Sequence, residues 1–386
     1  MALRPRDDKN QRVTSLAPYD TVLLLSFGGP EQPADVLPFL REVTRGRGIS
    51  EDRLARVAEH YHYFGGRSPI NEHNRALQGA LQGELNRRGC PLPVLWGNRN
   101  WHPYVVDVLR QGYADGARRV LTILTSAYSS YSSCRQYRED LAQALITLAG
   151  EGISLSVDKI RHYYNHPGFA QANVDATVAA LQALPDGAHV VFVTHSVPDA
   201  MDEAAGPAGH AYTEQHRDLA AVVAADAGAR LGRVVPWQLA YCSRSGPAGQ
   251  SWLEPDVGDH LRGLHAVGAP GAAVVPIGFV SDHMEVVYDL DTEAKAVADE
   301  LGLPFARAAT AGTHPRFVGG LVDLLQEQAA IARGEQPPAP SVGARGASHS
   351  VCPAGCCRNH REERPAACGT DWTPPVLGQP ATASTS

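Results

Sequence analysis

The stretch Pro276-Ile-Gly-Phe-Val-Ser-Asp-His-Met-Glu-Val-Val-Tyr-Asp-Leu-Asp-Thr-Glu293 passes from apolar to acidic residues. The apolar run that begins at Ala272 and continues to Val280 has the length and β-branched content of an inner strand. The Ser-Asp pair that follows is typical of a helix cap and predicts a helix from about Asp282. An inner strand that leads directly into a helix is typical of an α/β fold.

At 3.6 residues per turn, the predicted helix places a row of carboxylates on one face, with His283 beside it. The carboxylates are Asp282, Glu285, Asp289 and Glu293. Ligands of open α/β sheets bind at the carboxyl ends of the strands, so this row is well placed to meet one. The same pattern is also typical of a capped, solvated amphipathic helix.

A second strand end carries similar chemistry. The segment His189-Val-Val-Phe-Val-Thr-His-Ser-Val-Pro198 predicts an apolar strand that ends before the proline, with His195 at its carboxyl end. A lone histidine is more often structural or merely exposed. Because the acidic helix also follows an apolar strand, in the same half of the chain, the two together suit the handling of protons and cations.

Two successive rounds of strand and helix predict an α/β fold with two similar Rossmann-like halves. Each half would be a parallel sheet flanked by helices, with a cleft between the halves. The predicted segments are a polar leader at 1–18, an N-terminal half at 19–162, a C-terminal half with the His195 and Glu285 site at 163–333, a linker at 334–350, a cysteine-rich segment at 351–369 and a disordered tail at 370–386. The linker is rich in Pro, Gly, Ala and Ser, which predicts flexibility.

The composition excludes some classes of function. With 34 basic and 41 acidic residues, the net charge of −7 offers no basic surface for nucleic acid. The first residues lack the apolar core of a secretory signal, and no run of about 18 apolar residues predicts a transmembrane segment. We therefore expect a cytoplasmic protein.

Seven cysteines are unevenly distributed, since four of them crowd into the tail. In a cytosolic chain such a cluster favours metal binding over disulfides. Thiolates this close suit an iron-sulfur cluster, or a zinc site that His360 would complete. Free thiols are the remaining alternative.

The motifs Thr194-His-Ser-Val-Pro198 and Gly278-Phe-Val-Ser-Asp-His-Met-Glu-Val-Val-Tyr-Asp-Leu-Asp291 closely resemble the two signature stretches of the ferrochelatases. These lyases insert ferrous iron into a porphyrin, and the resemblance covers roughly Tyr19 to Leu325. It implies that His195 and Glu285 are the catalytic residues and face each other on the metal-insertion side of the porphyrin. His283 and Asp289, behind Glu285, would relay protons or metal.

The resemblance also implies contacts to the porphyrin. Phe27, in Ser26-Phe-Gly-Gly-Pro30, stands where some bacterial relatives carry a tyrosine that can ligate iron, so it offers no phenolate. Arg45, Ser68 and Tyr137 are the implied partners of the propionates. A helix-end arginine and a serine-rich loop also have ordinary structural explanations.

Some ferrochelatases hold a 2Fe-2S cluster with three tail cysteines and one cysteine of the body. Cys134, in Tyr131-Ser-Ser-Cys134, lies in the matching loop. The implied ligands are Cys134, Cys352, Cys356 and Cys357, with Cys368 as a spare. Their spacing differs from the animal pattern, which leaves the choice among tail cysteines open.

A cysteine-bearing chain rich in alanine and arginine resembles the actinobacterial branch of the family. That branch acts on coproporphyrin III and yields coproheme, so coproporphyrin III and ferrous iron are the implied substrates. Protoporphyrin IX is the alternative, and transient contacts with other heme-pathway enzymes are compatible with this role. Two other classes remain: a chelatase that inserts cobalt or nickel into another tetrapyrrole, and an iron-sulfur redox sensor or metal-binding protein without insertion activity.

Overall fold

The protein is described here by a computed structural model that covers residues 15–245, 249–359 and 361–377. Its first sheet contains β1 (Thr21–Ser26), β2 (Val94–Asn98), β3 (Arg119–Leu124) and β4 (Ser156–Lys159). The strands lie in the order β2-β1-β3-β4, and all pairs are parallel. Apart from Arg119, every residue of β1 and β3 is buried, as expected for strands covered by helices on both faces.

The second sheet repeats this arrangement. It contains β5 (His189–His195), β6 (Trp237–Cys242), β7 (Ala272–Val275) and β8 (Phe305–Arg307). The order is β6-β5-β7-β8, again with parallel pairs. The predicted fold of two parallel sheets flanked by helices is therefore confirmed.

The helices connect the strands and cover both faces of the sheets. They are α1 (Val36–Val43), α2 (Glu51–Tyr63), α3 (Ile70–Arg87), α4 (Val105–Ala114), α5 (Gln136–Gly150), α6 (Pro167–Gln182), α7 (Asp199–Glu203), α8 (Ala211–Leu231), α9 (Val257–Ala266), α10 (Met284–Val286), α11 (Lys295–Leu301) and α12 (Pro315–Ala332). Two π-helical segments precede α5 and α11, at Tyr131–Arg135 and Val287–Ala294.

The two halves share one apolar core. Leu24 of β1 and Phe192 of β5 belong to the same buried cluster. The final helix α12 packs on α3 of the first half as well as on α6, and Arg88, just after α3, forms an ion pair of 2.5 Å with Asp323 of α12. The shared core therefore fixes the position of the two sheets on either side of the crevice.

The segment 334–350, for which the sequence predicts a flexible linker, forms hydrogen bonds and an ion pair with the body. The Asn165 amide donates to the Gly346 carbonyl at 2.6 Å. Arg345 forms an ion pair with Glu214 of α8 at 2.6 Å. These contacts carry the chain along the surface towards the cysteine-rich segment.

Parts of the predicted terminal segments lie outside the described residues, namely 1–14 of the leader and 378–386 of the tail. Of the described part of the tail, Asp371 contacts Arg135 at 3.5 Å. Within the described ranges, none of the helices is both long and apolar enough to cross a membrane.

Candidate active site

His195 is the last residue of β5, where the strand reaches the crevice. Its Nδ1 lies 2.5 Å from the carbonyl oxygen of Ser196. A carbonyl oxygen only accepts hydrogen bonds, so this contact places the proton of the neutral imidazole on Nδ1. The lone pair of Nε2 therefore points away from the backbone and is free for a proton or a metal ion.

The backbone of His195 is fixed from behind by Tyr212 of α8. The Tyr212 hydroxyl donates to the His195 carbonyl at 2.9 Å and lies 2.7 Å from the Thr194 hydroxyl. Tyr212 is buried. The imidazole is thus attached to a strand end that has little freedom to move.

Glu285 faces His195 on the same side of the crevice. Its Oε2 lies 3.6 Å from His195 Nε2, and the two side chains are 51% and 33% exposed. The two residues follow from β5 and β7, which are neighbouring strands. The chain passes from β5 to β6 at one edge of the sheet and from β7 to β8 at the other edge. Such a divergence creates the crevice in which α/β proteins bind ligands.

The helix that carries Glu285 begins later than predicted. Pro276 has no N–H for the sheet and β7 ends before it, and the chain stays extended at His283, which caps α10. Asp282 therefore lies in the loop, where it forms an ion pair with Arg307 at 3.0 Å. It does not belong to the row of carboxylates, contrary to the sequence prediction.

The remaining carboxylates form an acidic stripe of Glu285, Asp289 and Glu293. The charges of Glu285 and Glu293 both raise the pKa of Asp289, so the three carboxylates lie close together. Glu285 belongs to α10, and the other two belong to the π-helical segment that follows it. Asp289 and Glu293 line a cavity of about 350 Å³ that lies beyond Glu285.

The environment of Asp289 brings the pKa of its carboxyl group close to 7. Burial raises its pKa to about 7, opposed by a hydrogen bond from Ser243, while the charges of Glu285 and Glu293 add to the rise. Ser243 follows β6 and adopts φ of 62°, a left-handed conformation that is rare for serine and that aims its hydroxyl at Asp289. Asp289 can therefore gain or lose a proton near pH 7.

His283 lies beside this stripe in its neutral form. Burial lowers the pKa of its imidazole, and the nearby His195 lowers it further, against the opposing charge of Glu285. Its ring packs edge-on against Phe279 at 5.1 Å. The placement agrees with the expected position behind Glu285, and its relay role remains a prediction.

The first half supplies an aromatic wall on the other side of the crevice. Phe27 packs against Phe39 at 6.3 Å, and Phe39 packs against Trp101 at 6.1 Å. The buried Met284 belongs to the same cluster. His60 of α2 stacks on Tyr288 of the π-helical segment at 3.9 Å, so the two halves also meet directly beside the stripe.

The predicted propionate contacts differ in accessibility. Arg45 is 76% exposed and forms an ion pair with Glu42. Ser68 is buried against the Gly28-Gly29 loop, where a Cβ at Gly29 would approach Ser68 Cβ to 2.9 Å. Tyr137 is only 5% exposed. Its ring lies under the Arg99 guanidinium, 4.3 Å from the ring centre, which favours a supporting position over direct contact.

The sequence reasoning did not identify Ser243, Tyr61 or Tyr212 as parts of the site. Ser243 follows the apolar strand β6, so the strand-end rule that found His195 also applies to it. Tyr61 lies near the stripe, and its pKa is raised by burial and by the charges of Glu285 and Asp289. No local pattern marks Tyr61 and Tyr212, because their positions depend on how the halves pack.

The cysteine-rich segment closes on the body at a separate site. The thiols of Cys134, Cys352, Cys356 and Cys357 form one buried cluster. Cys134 comes from the π-helical turn after β3, and the other three come from the tail. Cys357 Sγ accepts the Gly206 N–H of the second half at 3.1 Å. The site therefore joins the tail to both halves.

Cys368 lies apart from these thiols. Its Sγ contacts the Val157 carbonyl of β4 at 3.4 Å, and the residue packs in a different apolar cluster. Within the described ranges, no group of three or more His, Cys, Asp or Glu side chains is arranged to hold a metal ion. His360, the alternative zinc ligand, lies outside the described residues.

Two parallel sheets that share a core, with a histidine and a glutamate facing each other at neighbouring strand ends, define a two-lobed α/β protein with a ligand crevice. The chain belongs to the ferrochelatase family, whose profile matches residues 19–329. This range agrees with the resemblance read from the motifs.

Several curated relatives are similar over nearly their full length. The "Coproporphyrin III ferrochelatase" of Streptomyces coelicolor is 53% identical over 93% of this chain and 98% of the relative. The protein of the same name from Streptomyces griseus is 54% identical over 92% and 97%. The "Ferrochelatase" of Rhodopirellula baltica is 46% identical over 89% and 95%. Among solved structures, SirB from Bacillus subtilis with Fe3+ aligns with a TM-score of 0.49 and 11% identity, over 81% of this chain and 97% of that one.

Proposed function

We propose that this protein inserts ferrous iron into coproporphyrin III and so produces coproheme. The observation that carries the proposal is the pair of His195 Nε2 and Glu285 Oε2, 3.6 Å apart at an open crevice. The names of the relatives that are about half identical to this chain support the choice of substrate. A cytoplasmic location and transient contacts with other enzymes of heme synthesis remain predictions.

Metal insertion replaces two pyrrole N–H protons with one ferrous ion, so two protons must leave the ring. The His195 imidazole can accept one of them on Nε2, because Nδ1 faces a carbonyl oxygen and holds its own proton. Glu285 can accept the other, or can take part in removing water from the incoming ion. The two acceptors lie on the same side of the crevice, which suits one face of a flat macrocycle.

The acidic stripe provides a path between this pair and solvent. Asp289 has a pKa of about 7, mainly because of burial, so it can pass a proton from Glu285 towards Glu293 without a strongly unfavourable step. The carboxylates also attract cations into the cavity of about 350 Å³ beyond them. Iron would enter and protons would leave along the same stripe, with His283 as a neutral neighbour.

The aromatic wall and the glycine loop suit the porphyrin ring. Phe27 and Trp101 offer apolar surface of the kind that packs on a macrocycle. Arg45, exposed at the end of α1, is the strongest candidate for a propionate because a guanidinium binds carboxylates through paired hydrogen bonds. Ser68 and Tyr137 would support the wall from behind.

The buried cysteines suit a 2Fe-2S cluster. Such a cluster has two ligands at each iron, so its four sulfurs need not converge on a point as they must around one ion. Cys134, Cys352, Cys356 and Cys357 supply four buried sulfurs, and the buried nitrogens Arg138 Nη1 and His349 Nε2 have no hydrogen-bond partner among the described residues. When bound, the cluster supplies one-electron redox chemistry. The four cysteines hold the tail against Gly206 of the second half.

The substrate is tested by anaerobic insertion of ferrous iron, with coproporphyrin III and protoporphyrin IX offered in parallel. We expect at least a tenfold preference for coproporphyrin III in kcat/KM, about 1.4 kcal/mol in the transition state. Appearance of the product's visible bands gives the rate, and cobalt and nickel in separate reactions test the broader chelatase class. Insertion into neither porphyrin would favour the redox-sensor alternative, and preference for protoporphyrin IX would overturn the proposed substrate.

The raised pKa of Asp289 predicts a pH-dependent gain in stability for Asp289→Asn. A carboxyl whose pKa rises from 3.8 when unfolded to about 7 when folded stabilises the fold below pH 4 and loses that contribution as the pH rises to 7. Asparagine does not titrate, so the stability of the variant does not fall in this way as the pH rises. Its melting temperature should therefore exceed that of the wild type by a few degrees at pH 8, and the two should converge towards pH 4.

The measurement is a set of thermal melts between pH 4 and pH 8, followed by circular dichroism. Asp226→Asn, on the exposed surface of α8, is the matched control and should follow the wild type at every pH. A constant difference between Asp289→Asn and the wild type across this range would contradict the assignment. In the insertion assay, the same variant should be about tenfold slower at pH 7, because the stripe has lost its proton carrier.

A further inference from the structure

The cysteine-rich segment packs on β4, since Cys368 Sγ contacts the Val157 carbonyl of that strand and the Cys368 carbonyl accepts the Cys352 N–H at 3.3 Å. Lys159, the last residue of β4, is a buried cation beside this segment and is 2% exposed. Its ammonium group lies 3.4 Å from the Ile160 carbonyl, and no carboxylate within the described ranges forms an ion pair with it. The neighbouring Asp158 lies on the other face of the strand, where it accepts a hydrogen bond from Tyr19 at 2.8 Å.

An ammonium group buried without an opposite charge is strongly unfavourable. Burial alone would lower the pKa of Lys159, but the charges of Cys352, Cys134 and Cys368 outweigh burial and raise it. Four cysteine ligands of a bound cluster would be thiolates, and their negative charge would compensate this buried cation.

Arg138 of α5 provides a second buried cation at the same site. It is 1% exposed, and its Nε donates to the Ala367 carbonyl of the tail at 2.6 Å. Its Nη1 is buried without a hydrogen-bond partner among the described residues. Asp371, at 3.7 Å, partly balances its charge. Lys159 has no such carboxylate, so it is the less compensated of the two cations.

We propose that Lys159 supplies the main positive charge that balances the cysteine thiolates and raises the reduction potential of the bound cluster. This inference rests on the 2Fe-2S cluster proposed above. Reduction adds one electron and makes the cluster more negative, so a buried cation nearby stabilises the reduced form more than the oxidised form. Lys159 contacts no iron in this proposal and acts as a positioning residue through charge.

The test is the reduction potential of the full-length protein and of Lys159→Met, which keeps an unbranched side chain of similar length without the charge. The potential is measured anaerobically by a redox titration followed by visible absorbance and electron paramagnetic resonance. We expect Lys159→Met to retain the cluster while its reduction equilibrium constant falls about tenfold, equivalent to ~59 mV for one electron. Lys295→Met, at an exposed ion pair on α11, is the matched control and should leave the potential unchanged.

The outcomes separate this inference from the proposed cluster. A wild-type protein without the 2Fe-2S spectrum would overturn the cluster, and this inference with it. A wild-type cluster whose potential is the same in Lys159→Met would overturn only the role of Lys159. If Lys159→Met lacks the cluster, Lys159→Arg decides: recovery of the spectrum supports the need for charge, and its absence shows that shape alone matters and overturns the proposal.

Discussion

His195→Ala should abolish iron insertion while leaving porphyrin binding intact. The imidazole is the acceptor whose Nε2 faces Glu285 at 3.6 Å, and alanine removes it without touching the aromatic wall. Loss of a positioned general base typically lowers a rate by about 10² to 10⁴, and loss of a metal ligand adds to this effect. We therefore expect a fall in kcat of at least about 10²-fold, measured anaerobically with ferrous iron and coproporphyrin III.

Porphyrin binding is measured separately, by quenching of the protein's tryptophan fluorescence. His189→Ala is the matched control. His189 is the first residue of β5 and His195 is the last, so His189 lies at the end of the strand that points away from the crevice. This control should keep wild-type turnover. Full turnover by His195→Ala would remove His195 from the mechanism, and loss of porphyrin binding would mean that the histidine positions the ring. Glu285→Gln should also be slow, because an amide cannot accept the second proton.

The positions of His195 and Glu285 could be predicted because they follow from a local rule. His195 ends one apolar strand and Glu285 lies in the helix that follows another, and parallel strands place their carboxyl ends at one edge of a sheet. The family resemblance then gave the two residues their roles. That β5 and β7 are neighbours, which brings the pair to 3.6 Å, depends on strand order, for which a single sequence has no local signal.

Other parts of the site depended on contacts between distant residues. Glu285, Asp289 and Glu293 lie close enough for the outer two to raise the pKa of Asp289, but ideal α-helical spacing wrongly added Asp282. Asp282 is instead drawn away by Arg307, a partner from β8. Composition predicts a flexible linker at 334–350, and it gives no sign that Arg345 of this segment forms an ion pair with Glu214.

Packing also decided the status of individual side chains. Tyr137 follows a serine-rich loop and has a hydroxyl group, which made it a reasonable partner for a propionate. In the structure it is buried under Arg99, whose charge is balanced by Asp140. Because Arg99 is distant from Tyr137 in the sequence, no local pattern shows that this tyrosine is covered by an arginine.

Cys134→Ser should remove the visible absorbance of the proposed 2Fe-2S cluster. Cys134 is the one body residue in the cluster of four thiols within the described ranges, and it is 1% exposed. A serine hydroxyl is a poor substitute for a thiolate, because iron-sulfur clusters favour soft sulfur ligands. Metal binding by a closed site also contributes to folding, so we expect the melting temperature to fall by several degrees as the tail loses its attachment.

The controls for Cys134→Ser distinguish the alternatives at the cysteine site. Cys368→Ser should keep the absorbance, since Cys368 contacts Val157 away from the other thiols, and Cys90→Ser should also keep it because Cys90 packs in the main core. Retained absorbance in Cys134→Ser would exclude Cys134 as a ligand, whereas its loss in Cys368→Ser would place Cys368 in the ligand set.

A colourless wild-type protein that contains one zinc ion per chain would replace the cluster with a zinc site. Zinc in the wild type and none in Cys134→Ser would still make Cys134 the residue that ties the tail to the body.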